Sequence, residues 1–591
     1  MVWKNYSLYS FVIPFIICSG IFLAETAWFQ AHHSITYDET LYLSLSNRSV
    51  LAGKLNPDFA NVGVAPLPMM LTYFPPLWLE PAPDREETWG GTLFDPEFIK
   101  APRVMNSVLI GLPLIAIVMF WLTVRNGPLA GTLGGGLVAL SPSMIAHGGL
   151  ATTDLSFVLF SLISLFIVGW MANQPSLKRA AIAGVAIGVT LAAKYSGLFL
   201  FPVAGLLLAL HLIDLTSFRA AWTSIFQIAV RYTALLAVAG VVCWGCHLFA
   251  SINPLTSSPY GELDDTSPWV QILGRGPVTE KIVTFCYEKI NRPASIDGIL
   301  FQVQHSREGH GAYLMGEISS DGWWYYFPCA FAFKSTPVEL LLSCLIFVSV
   351  TFSLKFPWRN FLSSGTSKQS MNLGTLVLIG LLMNSHINIG QRYMLLIYPI
   401  LIMLSLDFLW NRFSLSRRHL IIVTTLCLVS QATSSILIGP HYLGYFNAFA
   451  GGPEHGRWLL SDSNNDWGQD LPVLQEFQKT NPEPMILWYF GTALPAAYGV
   501  QAENLEEFPE SIEDFTYAAL SISNLIGPYG PTKDPADPFA QVREIEPLEF
   551  LGTSIVILDL RDPDVRGKLQ TAIQKYEKIA RENPDHPLPR W

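Results

Sequence analysis

LYSFVIPFIICSGIFLAETAWFQAHHSITYDE, residues 8–39, decides the architecture. The run over 8–29 is apolar for the length of about 20 residues that a membrane-crossing helix needs. It is too long for the core of a secretory leader, no small-residue cleavage site follows, and Glu25 interrupts its far end. It is therefore expected to stay in the bilayer and to deliver Tyr37-Asp38-Glu39 to the membrane surface. The rest of the chain repeats the pattern. Further apolar runs at 104–124, 128–146, 155–172, 180–193, 197–213, 231–250, 336–354, 373–386, 393–410 and 419–438 bring the expected crossings to about 11. Composition agrees: 51% of the 591 residues are hydrophobic and 14% charged, against about 25% charged in a soluble chain.

Charge placement sets the orientation. The alternate gaps beginning at the N-terminus hold Lys4, Arg125, Lys178, Arg179, Arg219, Arg231, Lys355, Arg359, Lys368, Arg412, Arg417 and Arg418, against Asp214 and Asp407. By the positive-inside rule that face is cytoplasmic. The N-terminus is then inside and the C-terminal part outside, in an integral protein of the cytoplasmic (inner) membrane. The net charge of −10 excludes a nucleic-acid-binding protein on electrostatic grounds. Of the seven cysteines only Cys286 and Cys329 lie outside apolar runs, and nothing in their spacing requires a bond; Cys243 and Cys246 read as packing.

The fold class expected is a multi-span α-helical membrane protein with a C-terminal extracytoplasmic α/β domain. Residues 1–438 form the membrane part, with outer loops at 30–103 and 251–335, and residues 439–591 the outer domain. In the first loop a helix is expected at 37–50. The Pro-rich stretch 65–79 suits a helix lying along the interface, with Tyr73 and Trp78 at headgroup level. In the outer domain strands are expected at 485–491, 515–522 and 553–560, with a charged helix at 565–582.

Several outer-face residues carry chemistry. Asp38 and Glu39 supply a general base and a charge partner, or a solvated acid and a helix cap. Asp154 follows His147-Gly148-Gly149-Leu150-Ala151-Thr152-Thr153, where the dipole of the next helix already favours an acid. Lys194, Lys334 and Arg392 stand at outer ends of apolar runs, as snorkelling cations or as phosphate holders. His305, His310 and Glu317 do not match a metal-ligand spacing, and the sequence gives no metal site. Asp462-Ser463-Asn464-Asn465-Asp466-Trp467-Gly468 imitates the start of a calcium loop, but Trp467 stands where the turn glycine belongs and Val473 where the bidentate Glu belongs.

These features together resemble the GT-C glycosyltransferases, more narrowly bacterial family-39-like members related to the protein O-mannosyltransferase and aminoarabinose-transferase group. GWWYYFP (322–328), HINIGQRY (386–393), FNAFAGGP (446–453) and SDSNNDWGQD (461–470) carry the resemblance, which extends over most of 1–475. It implies an inverting membrane glycosyltransferase that moves a hexosyl or pentosyl group from a polyprenyl-phosphate donor to an acceptor on the outer face. Asp38 is then the general base, with Glu39 its neighbour. Asp154 orients a substrate, and Lys194, Arg392 and Lys334 hold the donor phosphate. His147, His310, Tyr313, Glu317, Trp323, Trp324 and His386 are further candidates for substrate contact. No cofactor is required; a divalent metal is compatible with such enzymes but not obligatory. Loop 251–335 is too short for the β-trefoil insertion of eukaryotic protein mannosyltransferases. A lipid, polysaccharide or cyclitol acceptor therefore fits better than a protein. The competing reading is a polytopic transporter or lipid flippase with an outer sugar-binding domain. It accounts for many spans, but not for an acid pair at the membrane surface.

Overall fold

The computed structural model describes residues 9–83, 87–88, 91–92, 96–252, 274, 276–278, 281, 292–353, 365–413, 416–527 and 537–582. Lys4, Cys286, Lys355 and Arg359 lie outside them. A helix coincides with each apolar run. Among the described residues six are long and apolar enough to cross a membrane: Tyr9–His32, Glu97–Asn126, Thr153–Asn173, Tyr195–Leu212, Phe218–Cys246 and Arg417–Ile438. Pro128–Ala139 and Pro142–Gly149, meeting at 61°, add a seventh if the bent pair is one crossing. The chain is thus a multi-span helical membrane protein. The remaining four runs form Leu177–Ala193, Pro337–Ser353, Thr366–Met383 and Ile397–Arg412, none of which meets that standard of length and apolarity. Leu177–Ala193, at 17 residues, reaches about 26 Å, short of a hydrocarbon core of about 30 Å. Thr366–Met383 opens on the polar TSKQSMN.

Two helices begin earlier than the hydropathy of the sequence suggests. Glu97–Asn126 runs through Pro102 and a π-turn at Ser107–Gly111, which draws Arg103 out of the expected loop and into the helix. Phe218–Cys246 takes in Arg231. Its contact with Leu177–Ala193 is built on small residues: a Cβ at Gly184 would stand 2.6 Å from the Leu235 carbonyl, and one at Gly188 2.6 Å from that of Ala239. Backbones approach this closely in membranes where glycine recurs every fourth residue.

Helix ends fall into two sets. Arg125, at the end of one helix, and Lys368, at the start of another, both pair with Asp407 near the end of a third; the Arg125 Nε–Asp407 Oδ1 distance is 3.0 Å. At the opposite ends of the same bundle lie Asp154, Lys194 and Arg392. Over the latter ends sits the helix Tyr37–Ala52. The Pro-rich stretch forms two short helices, Leu67–Thr72 and Phe74–Leu79, broken at Tyr73. Trp78 is exposed, as an interfacial residue would be. Tyr73 is not at the interface: it is fully buried, and its hydroxyl donates to the Ala151 carbonyl at 2.8 Å.

The C-terminal part carries a mixed five-stranded sheet in the order Glu549–Leu551, Ile555–Asp559, Tyr517–Ser521, Met485–Trp488, Glu503–Asn504. Met485–Trp488 runs parallel to both its neighbours, and the Ile555–Asp559 pairings are antiparallel. The helix Pro563–Glu582 buries Leu569, Ala572, Ile573 and Tyr576 in the core that also holds Ile486, Trp488, Leu520 and Leu558. Between the last long helix and this sheet, Tyr442, Leu443, Phe446, Leu460 and Trp467 join the hydrophobic core of the bundle. The link is therefore packed against the membrane part.

Candidate functional site

Asp38 stands in the first turn of Tyr37–Ala52, and that turn is fixed by its neighbour. Glu39 Oε2 accepts from the Thr36 backbone N–H at 3.0 Å and from the Thr36 hydroxyl at 2.9 Å. Arg103 closes on the same carboxylate as a fork, Nε to Oε1 at 3.0 Å and Nη2 to Oε2 at 2.6 Å, while the Ala151 N–H reaches Oε1 at 2.9 Å. Two further Arg103 hydrogens go to the carbonyls of His33 and Ser34. Glu39 is completely buried, and both oxygens are taken. It is thus placed as a structural clasp and as the helix cap that the sequence offers beside its reading as a charge partner of Asp38. Burial alone would raise its pKa, but the Arg103 guanidinium outweighs that and holds the carboxyl below its ordinary value. Its stabilising contribution is therefore present above the ordinary carboxylate range and is lost as pH falls through the depressed pKa.

Glu39→Gln leaves Arg103 buried without its counter-charge, at a cost of about 3–5 kcal/mol. The expected result is a lower melting temperature and yield, with turnover per folded molecule retained. A variant that melts normally but does not turn over would contradict the structural role.

Asp38 itself is partly exposed and meets the loop before Ile397–Arg412. Arg392 Nη1 donates to Asp38 Oδ2 at 2.6 Å and lies 4.0 Å from Asp154 Oδ2. Lys194 Nζ donates to Asp154 Oδ1 at 2.6 Å, and the Thr152 hydroxyl donates to Oδ2 at 3.1 Å. Asp38, Arg392, Asp154 and Lys194 thus form one alternating chain of charge drawn from four separate helix ends. His147 Nδ1 is 3.8 Å from Asp154 Oδ2. Burial would lower the Arg392 pKa, but Asp38, Tyr393 and Asp154 more than offset it, and the guanidinium stays charged. Its plane lies over Trp467 at 4.2 Å, and Lys194 Nζ lies over the Tyr393 ring at 4.7 Å.

SDSNNDWGQD is the brace that holds Arg392. Asn464 Oδ1 accepts from the Gln391 N–H at 3.0 Å, Ser463 Oγ donates to the Ile389 carbonyl at 2.7 Å, and the Trp467 carbonyl accepts from the Tyr37 N–H at 3.0 Å. Two of its acids serve internal bonds: Asp466 Oδ2 accepts from the Ser523 N–H at 2.9 Å and Asp462 Oδ1 from the Ser463 N–H. This is an Asx-rich turn in place of a calcium loop.

Residues 102–253 match the family model described as dolichyl-phosphate-mannose-protein mannosyltransferase. That stretch contains Asp154 and Lys194. Asp38 and Arg392 lie on either side of it. No curated protein matches the chain. Two crystal structures of ArnT from Cupriavidus metallidurans align with it. The one bound to undecaprenyl phosphate covers 93% of this chain and 98% of its own, at 13% identity and a TM-score of 0.29. The apo form covers 92% and 97%, at 14% identity and a TM-score of 0.27. Scores this low carry nothing from those structures to this one.

The other expected site residues divide. Lys334 is buried, and its ammonium donates to the carbonyls of Leu443, at 2.7 Å, and Asn464. Burial pushes its pKa well below the ordinary lysine value. It braces the link after the last long helix and is not placed as a phosphate holder. Tyr313 is likewise turned away from the charged chain: it is buried in the core of the C-terminal sheet unit, its hydroxyl donating to the Trp458 carbonyl at 2.9 Å. Glu317, Trp324 and His386 are exposed. The His310 N–H donates to the His386 carbonyl at 3.3 Å, and the Trp323 N–H donates to Asn388 Oδ1 at 2.7 Å. Those segments therefore gather on the loop that leads to Arg392. Arg103, Trp467, Ser463 and Asn464 have no place in the site as read from sequence. The residues SDSNNDWGQD were the one available signal, because so polar a run beside apolar segments must find partners somewhere.

Proposed function

We propose that this chain is a membrane glycosyltransferase that takes a sugar from a polyprenyl-phosphate donor and passes it to an acceptor hydroxyl at the outer face. The observation that carries the reading is the charged chain Asp38–Arg392–Asp154–Lys194, with links of 2.6, 4.0 and 2.6 Å at the helix ends. The family model matched over 102–253, whose description names a polyprenyl-type phosphate sugar, supports it. A donor of this kind keeps its tail in lipid while its phosphate–sugar bond reaches water, so its site belongs at the membrane surface.

The donor phosphate competes with the carboxylates for Arg392 and Lys194. As the phosphate engages Arg392, the guanidinium's hold on Asp38 weakens, and Asp38 Oδ2 is left to take the acceptor's proton. The acceptor oxygen then bonds to the anomeric carbon as the bond from that carbon to the phosphate oxygen breaks. This single displacement inverts the centre, and the two cations stabilise the departing phosphate. Asp154, buried between Lys194 and Arg392, is a positioning residue for both. The rim of half-buried His310 and Trp323 and exposed Trp324 and His386 borders the acceptor's approach.

Eleven crossings, with the N-terminus cytoplasmic and 439–591 outside, fit the reading. The helix ends that hold Arg125 and Lys368 then face the cytoplasm and those at Asp38 face outward. Protease added to intact spheroplasts should release the outer unit. Membranes from an expressing strain, given a panel of labelled polyprenyl-phosphate sugars, should yield a labelled product absent from membranes without the protein. No product from any sugar, with the protein present and folded, overturns the assignment.

A further inference from the structure

Five residues before Asp38, three ligand-type side chains that are remote in sequence converge. His33 Nε2 lies 3.2 Å from His441 Nδ1, and Asp470 Oδ1 lies 3.6 Å from each of them. His33 and His441 are 408 positions apart, which is why no spacing in the sequence announces the cluster. The circle through the three atoms has a radius of about 2.0 Å, the length of a zinc–nitrogen or zinc–oxygen bond.

With both imidazoles neutral, the hydrogen-bond inventory around the trio is one hydrogen short. His33 Nδ1 lies 2.7 Å from the Phe29 carbonyl, which can only accept, so Nδ1 carries the hydrogen and the neutral ring turns the Nε2 lone pair inward. Asp470 Oδ2 is held by the N–H groups of Thr553 and Ser554 and by the Ser554 hydroxyl, at 2.9, 3.1 and 2.8 Å. Oδ1 is left buried, without a hydrogen-bond partner, facing both imidazoles. A single hydrogen on His441 Nδ1 can serve one of these two lone-pair atoms and leaves the other facing it. The outer contacts, a backbone carbonyl fixing one histidine tautomer and three donors orienting the carboxylate, are those that metal ligands need. Asp470 is fully buried, and His441 retains partial exposure, which gives a route in and room for a water as further ligand.

We propose that His33, His441 and Asp470 bind a divalent cation of the zinc type, through two imidazole nitrogens and one carboxylate oxygen. The site joins the end of the first helix, the residues after the last long helix, and the segment that leads into the outer unit. The cation thereby pins the brace of Arg392 to the loop that presents Asp38. This inference does not rest on the transfer reading, and none of its readouts is activity.

The test uses the full chain, purified in detergent, stripped with a chelator and dialysed against zinc. Elemental analysis should find about one zinc per chain. His441→Ala, which alters a partly exposed residue, should weaken zinc binding at least about 100-fold. Chelator should lower the melting temperature of the wild type and leave that of His441→Ala unchanged. If that variant does not fold, the wild type loaded with cobalt should show the visible bands of a four-coordinate nitrogen–oxygen site. No bound zinc in the wild type, equal binding in His441→Ala, or a featureless cobalt spectrum overturns the proposal and leaves a trio that shares a proton only.

Discussion

Asp38→Asn is expected to lower turnover on the order of 10²–10⁴-fold, the usual contribution of a positioned base. Asparagine keeps the shape and still accepts a hydrogen bond from Arg392 Nη1, now 2.6 Å from Asp38 Oδ2, so the guanidinium stays over Trp467. What is lost is the ability to take the acceptor's proton. Expression, melting temperature and donor affinity should change little, because the clasp that fixes this turn is made by Glu39 and Arg103. Initial rates with labelled donor, set beside donor binding on the same preparation, separate the two effects. Near-normal turnover in Asp38→Asn removes Asp38 from the chemistry.

Arg392→Ala carries the second large effect, on donor binding. It removes a cation that touches Asp38 and approaches Asp154, and it strips the contact over Trp467. Truncating one partner of a buried charge pair costs about 2–5 kcal/mol, so donor affinity should fall roughly 30-fold or more. Arg392→Lys restores the charge without the planar fork and should recover part of that loss. Affinity for a labelled polyprenyl phosphate in nanodiscs measures both. Two variants that bind the donor as the wild type does would exclude Arg392 as its phosphate holder.

What the sequence made legible follows from the solvent. A bilayer demands long apolar runs, so the helices and the charged residues at their ends could be read without a structure. Asp38, Asp154, Lys194 and Arg392 were singled out for that reason, and they come together in space. What was not legible depended on which way a side chain turns. Glu39 and Asp38 are adjacent and alike, yet a helical turn sends one into Arg103 and the other toward Arg392. Arg103 was hidden because Pro102 reads as an end, whereas the helix continues through it. Lys334 has the composition of a phosphate holder, but its ammonium is buried against two carbonyls. The crossings are legible in part: among the described residues six helices, or seven with the bent pair, are long and apolar enough to cross, while runs such as 180–193 are apolar but short.

The strands of the C-terminal unit were legible at 485–491, 515–522 and 553–560 because they are nearly continuous apolar runs, which the sheet buries on both faces. The edge strands Glu503–Asn504 and Glu549–Leu551 are too short and too polar to stand out.

The central claim is that a phosphate–sugar bond is broken at the outer surface. The purified chain reconstituted in vesicles, with a polyprenyl-phosphate donor labelled in both sugar and phosphate, tests it most directly. With acceptor added on the side that carries the outer unit, the wild type should separate the two labels, sugar passing to acceptor and phosphate staying with the lipid. Asp38→Asn should leave them joined. Movement of the intact, doubly labelled lipid across the bilayer without separation would contradict the account and identify a flippase in its place.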